Sequence, residues 1–376
     1  MRELLYDFRD TWRGLRRDRL YTAAITGTLA LTLGASIAVF SIVNGVLLRP
    51  LSYPDPEALV SIREIVPGIA ERYPTLPATM RHFDIWRDRA TSFASMAAMD
   101  WRTSTLTGAG DAAQVVILRA SGTLFEVLQI PTMLGRGLTR DDENRERPPV
   151  AVISEQLWRE RLGGDPGIVG RLVTLNGAPF TIVGVIPRGY ALPRLQPLAE
   201  SGTVTTEFAA IVPFRISLAN FDWMGQFNYG VVARLKPGVT LQQSRAEMNV
   251  LQGTVADIAR RQTRAPAELR GWIMPLEETI VGPVRRGLLV MLGAVLLVLL
   301  VVCANVANLF LVRGTARTRE LALRGALGAS RAQVVRLLVV ESLLLSIVGG
   351  ALGVLTAWWS VRALLALSGD FLPRAA

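Results

Sequence analysis

Cysteine, histidine and lysine each occur once in the 376 residues, as Cys303, His82 and Lys236. One cysteine excludes an intrachain disulfide, so any folded domain must rest on its own apolar core. One histidine leaves too few ligands for a His-rich metal site and no base cluster for a Ser-His-Asp triad. In the run MRHFDIWRDR, His82 is expected to be a surface residue of a helix. The lysine stands in ARLKPGVT, not after a glycine-rich turn, so the chain has no Walker A loop and is not itself a P-loop ATPase. The fragment Gly108-Ala109-Gly110 lacks the strand and helix of a dinucleotide loop and is expected to be a hairpin turn. No catalytic, cofactor-binding or metal-ligating residue is expected, and the chain is not expected to be an enzyme.

Charge is missing from three long stretches. Thr22 to Leu48 and Gly287 to Val312 contain no charged residue, and Leu337 to Val361 contains only Glu341 near its start. At about 1.5 Å per residue each helix is long enough for the roughly 30 Å apolar core of a bilayer. The sequence therefore predicts transmembrane helices at 21–48, 287–312 and 335–367. The first is read as a retained anchor. Its leading arm carries Glu3, Asp7, Asp10 and Asp18, and the apolar run ends in Leu48-Arg49-Pro50 with no small-x-small cleavage site.

Arginine supplies nearly all the positive charge, and its placement sets the topology. The arm 1–20 contributes +2 and residues 313–336 contribute +5 to a net charge of +10. Both flanks are expected on the cytosolic side, with residues 49–286 and the tail 368–376 outside. Arg285 and Arg286 oppose this weakly, but they end a long domain, and long domains translocate largely regardless of charge. The excess is thus topological, with no basic face interleaved with aromatics, and no nucleic-acid partner is expected. Lipid headgroups and an acidic protein groove suit these arginines better.

The outer region reads as a mixed α and β domain. Strands are predicted at 114–118, 150–153, 172–175, 180–183, 209–212 and 231–235, with Asn176-Gly177 turning one hairpin. Helices are predicted at 78–90, 154–162 and 241–261, the last opened by Thr240 as N-cap. The Pro- and Gly-rich stretch 187–203 is read as a separator of two lobes.

Four segments carry a resemblance that covers essentially the whole chain. They are MRELLYDFRDTWRGL, LALTLGASIAVFSIVNGVLLRPLSYPDPEALV, VAVISEQLWRERLGGDPGIVGRLVTLNGAPFTIVGVIPRGY and CANVANLFLVRGTARTRELALRGALGASRAQVVRLLVVESLLLSIVGGALG. Together they resemble the MacB/FtsX permeases, and within these the duplicated orphan permeases called ADOP. The resemblance implies an α-helical membrane protein with a large extracytoplasmic α+β MacB-like periplasmic core domain. It also implies a cytosolic ABC ATPase partner in trans. The family pattern has a fourth span where this chain ends in GDFLPRAA, so the chain is expected to be the first half of a duplicated permease.

Within that frame residues 313–334 form a coupling segment. Leu321, Leu323 and Leu327 give an apolar side, Arg319, Glu320 and Arg324 a polar one, and Gly325 and Gly328 let the chain turn. Docking into an ATPase groove and a solvated positive-inside loop are both compatible with this pattern. In the arm, Leu4, Leu5, Phe8, Trp12 and Leu15 recur at helical spacing, as in a helix lying at the headgroups or meeting a partner. Small residues at Ala30, Gly34 and Ala38, at Ser41 and Gly45, and at Gly349 and Gly353 point to close helix packing, although an Ala- and Gly-rich chain also yields such spacings by chance. Glu341, an acid within a span, reads equally as a coupling residue or as one that pairs with Arg336 or an arm arginine. Asn305 and Asn308 read as bridges between helices. The function expected is that of a permease subunit that relays ATP-driven motion to its outer domain. The alternative is an FtsX-like regulator acting on a cell-wall enzyme. A second permease half or a homodimer, and a periplasmic or outer-membrane protein, are the other partners expected.

Overall fold

The computed structural model describes residues 18–48, 51–108, 110–195, 202–205, 207–215, 218, 222–263, 268–316 and 331–368. The chain divides into two compact units, one built from Met1–Leu48 with Arg285–Ala375 and the other from Arg49–Val284.

Among its described residues the first unit contains three helices long and apolar enough to cross a membrane. They are α1 (Arg19–Val43) and the apolar stretches Val284–Val312 and Val339–Ser360 of the two later long helices. A π-helical turn at Asn44–Leu48 ends the first. Hydroxyls inside α1 fold back on its own carbonyls, as from Thr28 to Ala24 at 2.6 Å and Ser36 to Thr32 at 2.7 Å. Polar side chains in a span are satisfied locally in this way, without a cost in lipid.

The second unit is a ten-stranded sheet covered by helices. Its strands are β1 (Leu59–Ile65), β2 (Phe93–Thr107), β3 (Ala113–Ala120), β4 (Leu134–Gly135), β5 (Val150–Ser154), β6 (Leu172–Leu175), β7 (Ala178–Ile186), β10 (Ala210–Pro213), β11 (Gly230–Leu235) and β12 (Arg270–Pro275). The order is β12-β1-β11-β2-β3-β10-β5-β7-β4, with β6 pairing both β2 and β7. Pairing is antiparallel except between β3 and β10 and between β5 and β7. A separate hairpin joins β8 (Leu192–Leu195) to β9 (Gly202–Thr205), so the stretch read as a separator holds two paired strands.

Helices α2 (Met80–Arg89), α3 (Leu124–Leu128), α4 (Glu155–Arg161) and α5 (Leu241–Thr263) complete the domain. Two apolar clusters lie along the one sheet. Phe83, Trp86, Val231 and Val255 belong to the first, under α2 and α5. Ile153, Trp158, Ile182 and Val185 belong to the second, beside α4. At the β12 edge, Asn249 Oδ1 accepts from Gly271 N–H at 3.1 Å and Arg245 Nε donates to the Ile273 carbonyl at 2.8 Å. Side chains of α5 thus occupy backbone groups that would otherwise invite another strand.

The 15-residue β2 was not expected, because FASMAAMD is poor in β-branched residues. Its neighbours β11 and β3 impose the strand by pairing along most of its length. The Asn176-Gly177 turn has φ of 50° and 78°, as a two-residue hairpin of this handedness requires. Thr240 and Gln243 cap each other at the start of α5, at 2.8 and 3.2 Å.

Candidate functional site

In the membrane unit α1 packs on the last helix, α7 (Arg331–Ser368), where small residues remove the side chains that would hold the backbones apart. A Cβ placed on Gly34 would collide with Thr356 Oγ1. One on Gly349 would lie 2.8 Å from Leu29 Cβ, and one on Gly353 would lie 2.9 Å from Leu33 Cβ. Thr356 Oγ1 stands 3.1 Å from the Ala30 carbonyl on α1 and 2.9 Å from the Gly353 carbonyl of its own helix. Its single proton is therefore shared across the crossing. Ala38 is also buried. Gly45 differs: nothing lies within 4 Å of a Cβ built there, so Ser41 and Gly45 are not part of this contact. They fall where α1 gives way to the π-helical turn, which rotates the face away.

Beside this crossing, Ile25, Leu344 and Leu345 form a buried cluster, with Tyr21, Leu29 and Val340 against it. Glu341, next to Val340, is only 5% exposed. The other proposed coupling residues, Arg319, Glu320, Leu323, Arg324, Leu327 and Gly328, lie outside the described residues, as does the arm 1–17.

The middle helix, α6 (Leu276–Ala316), touches the bundle along one stripe. Leu288 and Val302 are buried, and Val306 and Phe310 pack against the Ile25 cluster. Asn305 and Asn308 stand exposed away from that stripe.

In the outer domain the polar centre is one that sequence reasoning missed. His82 is fully buried, not a surface residue, because α2 turns the face that carries Phe83 and Trp86 onto the sheet. Its Nδ1 lies 2.8 Å from Glu64 Oε2 on β1, and its Nε2 lies 2.7 Å from the Trp223 carbonyl. Gln252 from α5 donates to the same carboxylate at 3.1 Å. Burial pulls the imidazole's pKa down, but the Glu64 charge and hydrogen bond and the Trp223 carbonyl outweigh it, so the net shift is upward from the ordinary 6.5. The signal was present: a histidine flanked by Phe83 and Trp86 at helical spacing sits on an apolar face and needs a partner.

A second buried cation, Arg234 on β11, donates to the carbonyls of Val127, Pro54 and Asp55 at 2.9, 2.9 and 3.3 Å. Tyr53 donates its hydroxyl to the Ala191 carbonyl. These bonds hold the stretch 53–55 against the sheet. A cleft beside α4 is lined by Glu160, Arg161 and Glu207 among others, but its Ser154 hydroxyl is occupied in capping that helix, 3.2 Å from Leu157 N. Among the described residues no three His, Cys, Asp or Glu side chains converge as metal ligands would.

Comparison with known proteins bears on these features. Residues 22–251 match the MacB-like periplasmic core domain, and residues 292–374 match the FtsX-like permease C-terminal region. The macrolide export ATP-binding/permease protein MacB of Bdellovibrio bacteriovorus is 25% identical over 237 residues, which cover 61% of this chain and 34% of that protein. MacB 1 of Yersinia pestis bv. Antiqua is 24% identical over 356 residues, 91% of this chain and 50% of its own. The ABC transporter permease YknZ of Bacillus subtilis is 24% identical over 223 residues, 58% of this chain and 51% of its own. The chain spans about a third to a half of the length of these relatives. Three candidate membrane helices and an α/β domain of this kind fit a protein of the bacterial inner membrane. The chain belongs to the MacB-like periplasmic core domain family and carries an FtsX-like permease region at its C-terminal end.

Proposed function

We propose that the chain is a permease subunit or half-subunit of an ABC-type export or mechanotransmission system, with its N-terminus in the cytosol. It relays ATP-driven motion of a partner ATPase to its extracytoplasmic domain. The observation that carries this reading is the FtsX-like match across 292–374, which includes the whole Arg-rich segment between the last two spans. The relatives named above as ATP-binding/permease proteins have a nucleotide-binding function in the same name. Here the only lysine, Lys236, lies in a loop unsuited to phosphates, so these 376 residues hold no P-loop of their own, in keeping with an ATPase partner.

The roles follow from chemistry. In this reading Arg319 and Arg324 meet an acidic groove of the ATPase with Glu320 on the same polar side, Leu323 and Leu327 supply the apolar side, and Gly328 lets the chain turn back. Closure of the ATPase moves this segment, and the α1–α7 crossing at Gly34, Gly349 and Gly353 carries the displacement as a packed unit, since close-packed helices shift together. Glu341, buried beside that crossing, ties its cytosolic end. Lipid surrounds the bundle, and a periplasmic or outer-membrane protein receives the motion outside.

The test is photocrosslinking in cells from a reactive residue at Leu323 or Arg324. Recovery of a P-loop ATPase supports the relay. If no position between Arg319 and Gly328 captures one, the relay reading fails.

A further inference from the structure

The last helix changes character along its exposed side. Ile347, Val354 and Leu355 are bare aliphatics, Trp358 and Trp359 follow in the last turn of the apolar stretch Val339–Ser360, and Arg362 stands just past it. Both indole rings stay open, at 50% and 68% exposed, and they meet edge to face with centroids 5.6 Å apart. The guanidinium carbon of Arg362 lies 4.0 Å from the centroid of the Trp358 ring, close enough for a cation–π contact. Among the described residues no carboxylate pairs with Arg362, and neither indole N–H meets an acceptor.

Two successive spans return the chain to the face it left. The start of Val284–Val312 and the end of Val339–Ser360 therefore share one face of the membrane, whichever way the chain is oriented. That face also carries Arg285 and Arg286, both exposed and, like Arg362, without an acid partner among the described residues. The arginine bias that sets topology leaves these three unexplained, since it concentrates cations on the opposite face. A run from aliphatic side chains through indoles to a guanidinium matches the run from acyl chains through the interface to the headgroups. Hydrocarbon would leave the indole N–H unmet, and bulk water would leave two large rings bare, so both needs are met only at the boundary.

We propose that Trp358, Trp359 and Arg362 form a binding site for the headgroup phosphate of an acidic phospholipid. Stacking uses the face of the guanidinium and none of its N–H groups, which lie in its plane and point outward. The Trp358 ring thus fixes the cation and strips water from one side, while the free edge keeps the parallel donors that a phosphate accepts. The two open rings beside that edge offer an apolar wall to the glycerol and upper acyl chains of the same lipid, which a free phosphate ion does not need. An acidic headgroup is favoured over a zwitterionic one because it carries no ammonium to offset the charge that this face presents. The inference requires only that these helices span, and it does not rest on the relay.

The experiment is quenching of tryptophan fluorescence in the full chain, reconstituted in vesicles of phosphatidylcholine with phosphatidylglycerol. Bromine is carried near the carbonyl end of the chains of one lipid or the other, at equal mole fraction of brominated lipid and the same overall composition. The signal of the pair is the emission lost in a Trp358→Phe, Trp359→Phe double variant. Brominated phosphatidylglycerol is expected to quench that signal at least about threefold more than brominated phosphatidylcholine. Arg362→Gln should bring the two close to equal, with Arg362→Lys between them, because an ammonium keeps the charge and loses the fork. Equal quenching by the two lipids in the parent would overturn the proposal, leaving the rings as an anchor with no choice of headgroup. Absence of quenching by either would sink it as well, by placing the rings away from lipid. A third adverse result is loss of preference in Arg285→Gln with Arg286→Gln as complete as in Arg362→Gln, since the attraction would then belong to the whole face and not to the stacked arginine. Inorganic phosphate in excess is expected to leave the preference unchanged; reversal by it would assign the site to a free anion and refute the lipid reading. Capture of an ATPase from Leu323 is independent of all these outcomes, so either reading can fail alone.

Discussion

His82 Nδ1 and the Glu64 carboxylate meet at 2.8 Å with both side chains fully buried. The Trp223 carbonyl can only accept, so His82 Nε2 must carry a proton, and Glu64 accepts at both oxygens from Thr79 N–H at 3.3 Å and Gln252 at 3.1 Å. With acceptors on both ring nitrogens, the site favours the doubly protonated imidazole. Its folded pKa is raised, so its contribution is fully present below the ordinary 6.5 and is lost as pH rises through the folded value. Thermal unfolding of the full protein should therefore fall in midpoint as pH is raised from about 6 to about 9, and His82→Phe should flatten that slope. Removing one partner leaves a buried charge, so His82→Phe should also cost about 3 kcal/mol at low pH.

Arg234 holds the stretch 54–55 through the Pro54 and Asp55 backbone carbonyls, and Asp55 is kept there at a φ of 44°, in the left-handed region that non-glycine residues avoid. Leucine in its place would leave three carbonyls without their donor. Arg234→Leu is expected to destabilise the domain by about 2–4 kcal/mol and to speed amide exchange at 53–58 most of all. Arg234→Lys should recover only part, since an ammonium lacks the planar fork that reaches separate acceptors. Equal exchange in the variant and the parent would show that the clamp carries no load.

Asp142 makes a two-pronged pair with Arg136 at 2.7 and 2.9 Å while accepting from Thr139 N–H at 2.8 Å. Burial pushes its carboxyl pKa up, but the Arg136 and Thr139 bonds outweigh this and the net shift is downward from 3.8. The stability it adds is present above the unfolded value and is lost as pH falls through the depressed folded one. Asp142→Asn should remove this acid-side loss, at a cost of about 1 kcal/mol near neutral pH, read from melts at both ends of the range.

What the sequence made legible was local chemistry. Asn176-Gly177 and the Thr240–Gln243 cap are decided within four residues, and both were readable. The spans were readable because length and lack of charge are themselves the cause of insertion. His82 was misread because its partner lies 18 residues away on β1, a strand that shows no alternation, being buried on both faces. Arg234 was hidden for a similar reason, its acceptors being backbone atoms more than 100 residues distant. The exposed side of α6 was unreadable because hydropathy reports that a helix enters lipid, not which side meets a neighbour.

The α1–α7 crossing gives the sharpest contrast between two glycines of one span. A side chain on Gly34 would strike Thr356 Oγ1, which cannot withdraw without giving up its position between the Ala30 and Gly353 carbonyls. A side chain on Gly27 meets nothing within 4 Å. Gly34→Val is therefore expected to force the helices apart and cost about 1–3 kcal/mol, while Gly27→Ala is neutral or slightly stabilising through its helix propensity. The measurement is unfolding of the full chain in mild detergent, alongside disulfide formation between cysteines placed at Leu33 and Gly353. If the crossing holds the bundle, Gly34→Val lowers both the midpoint and the crosslink yield, and Thr356→Ala in the same chain restores part of each by removing the atom that is struck. Should Gly34→Val leave the yield unchanged, the helices would be touching elsewhere, and the shared Thr356 hydroxyl would have no part in holding them.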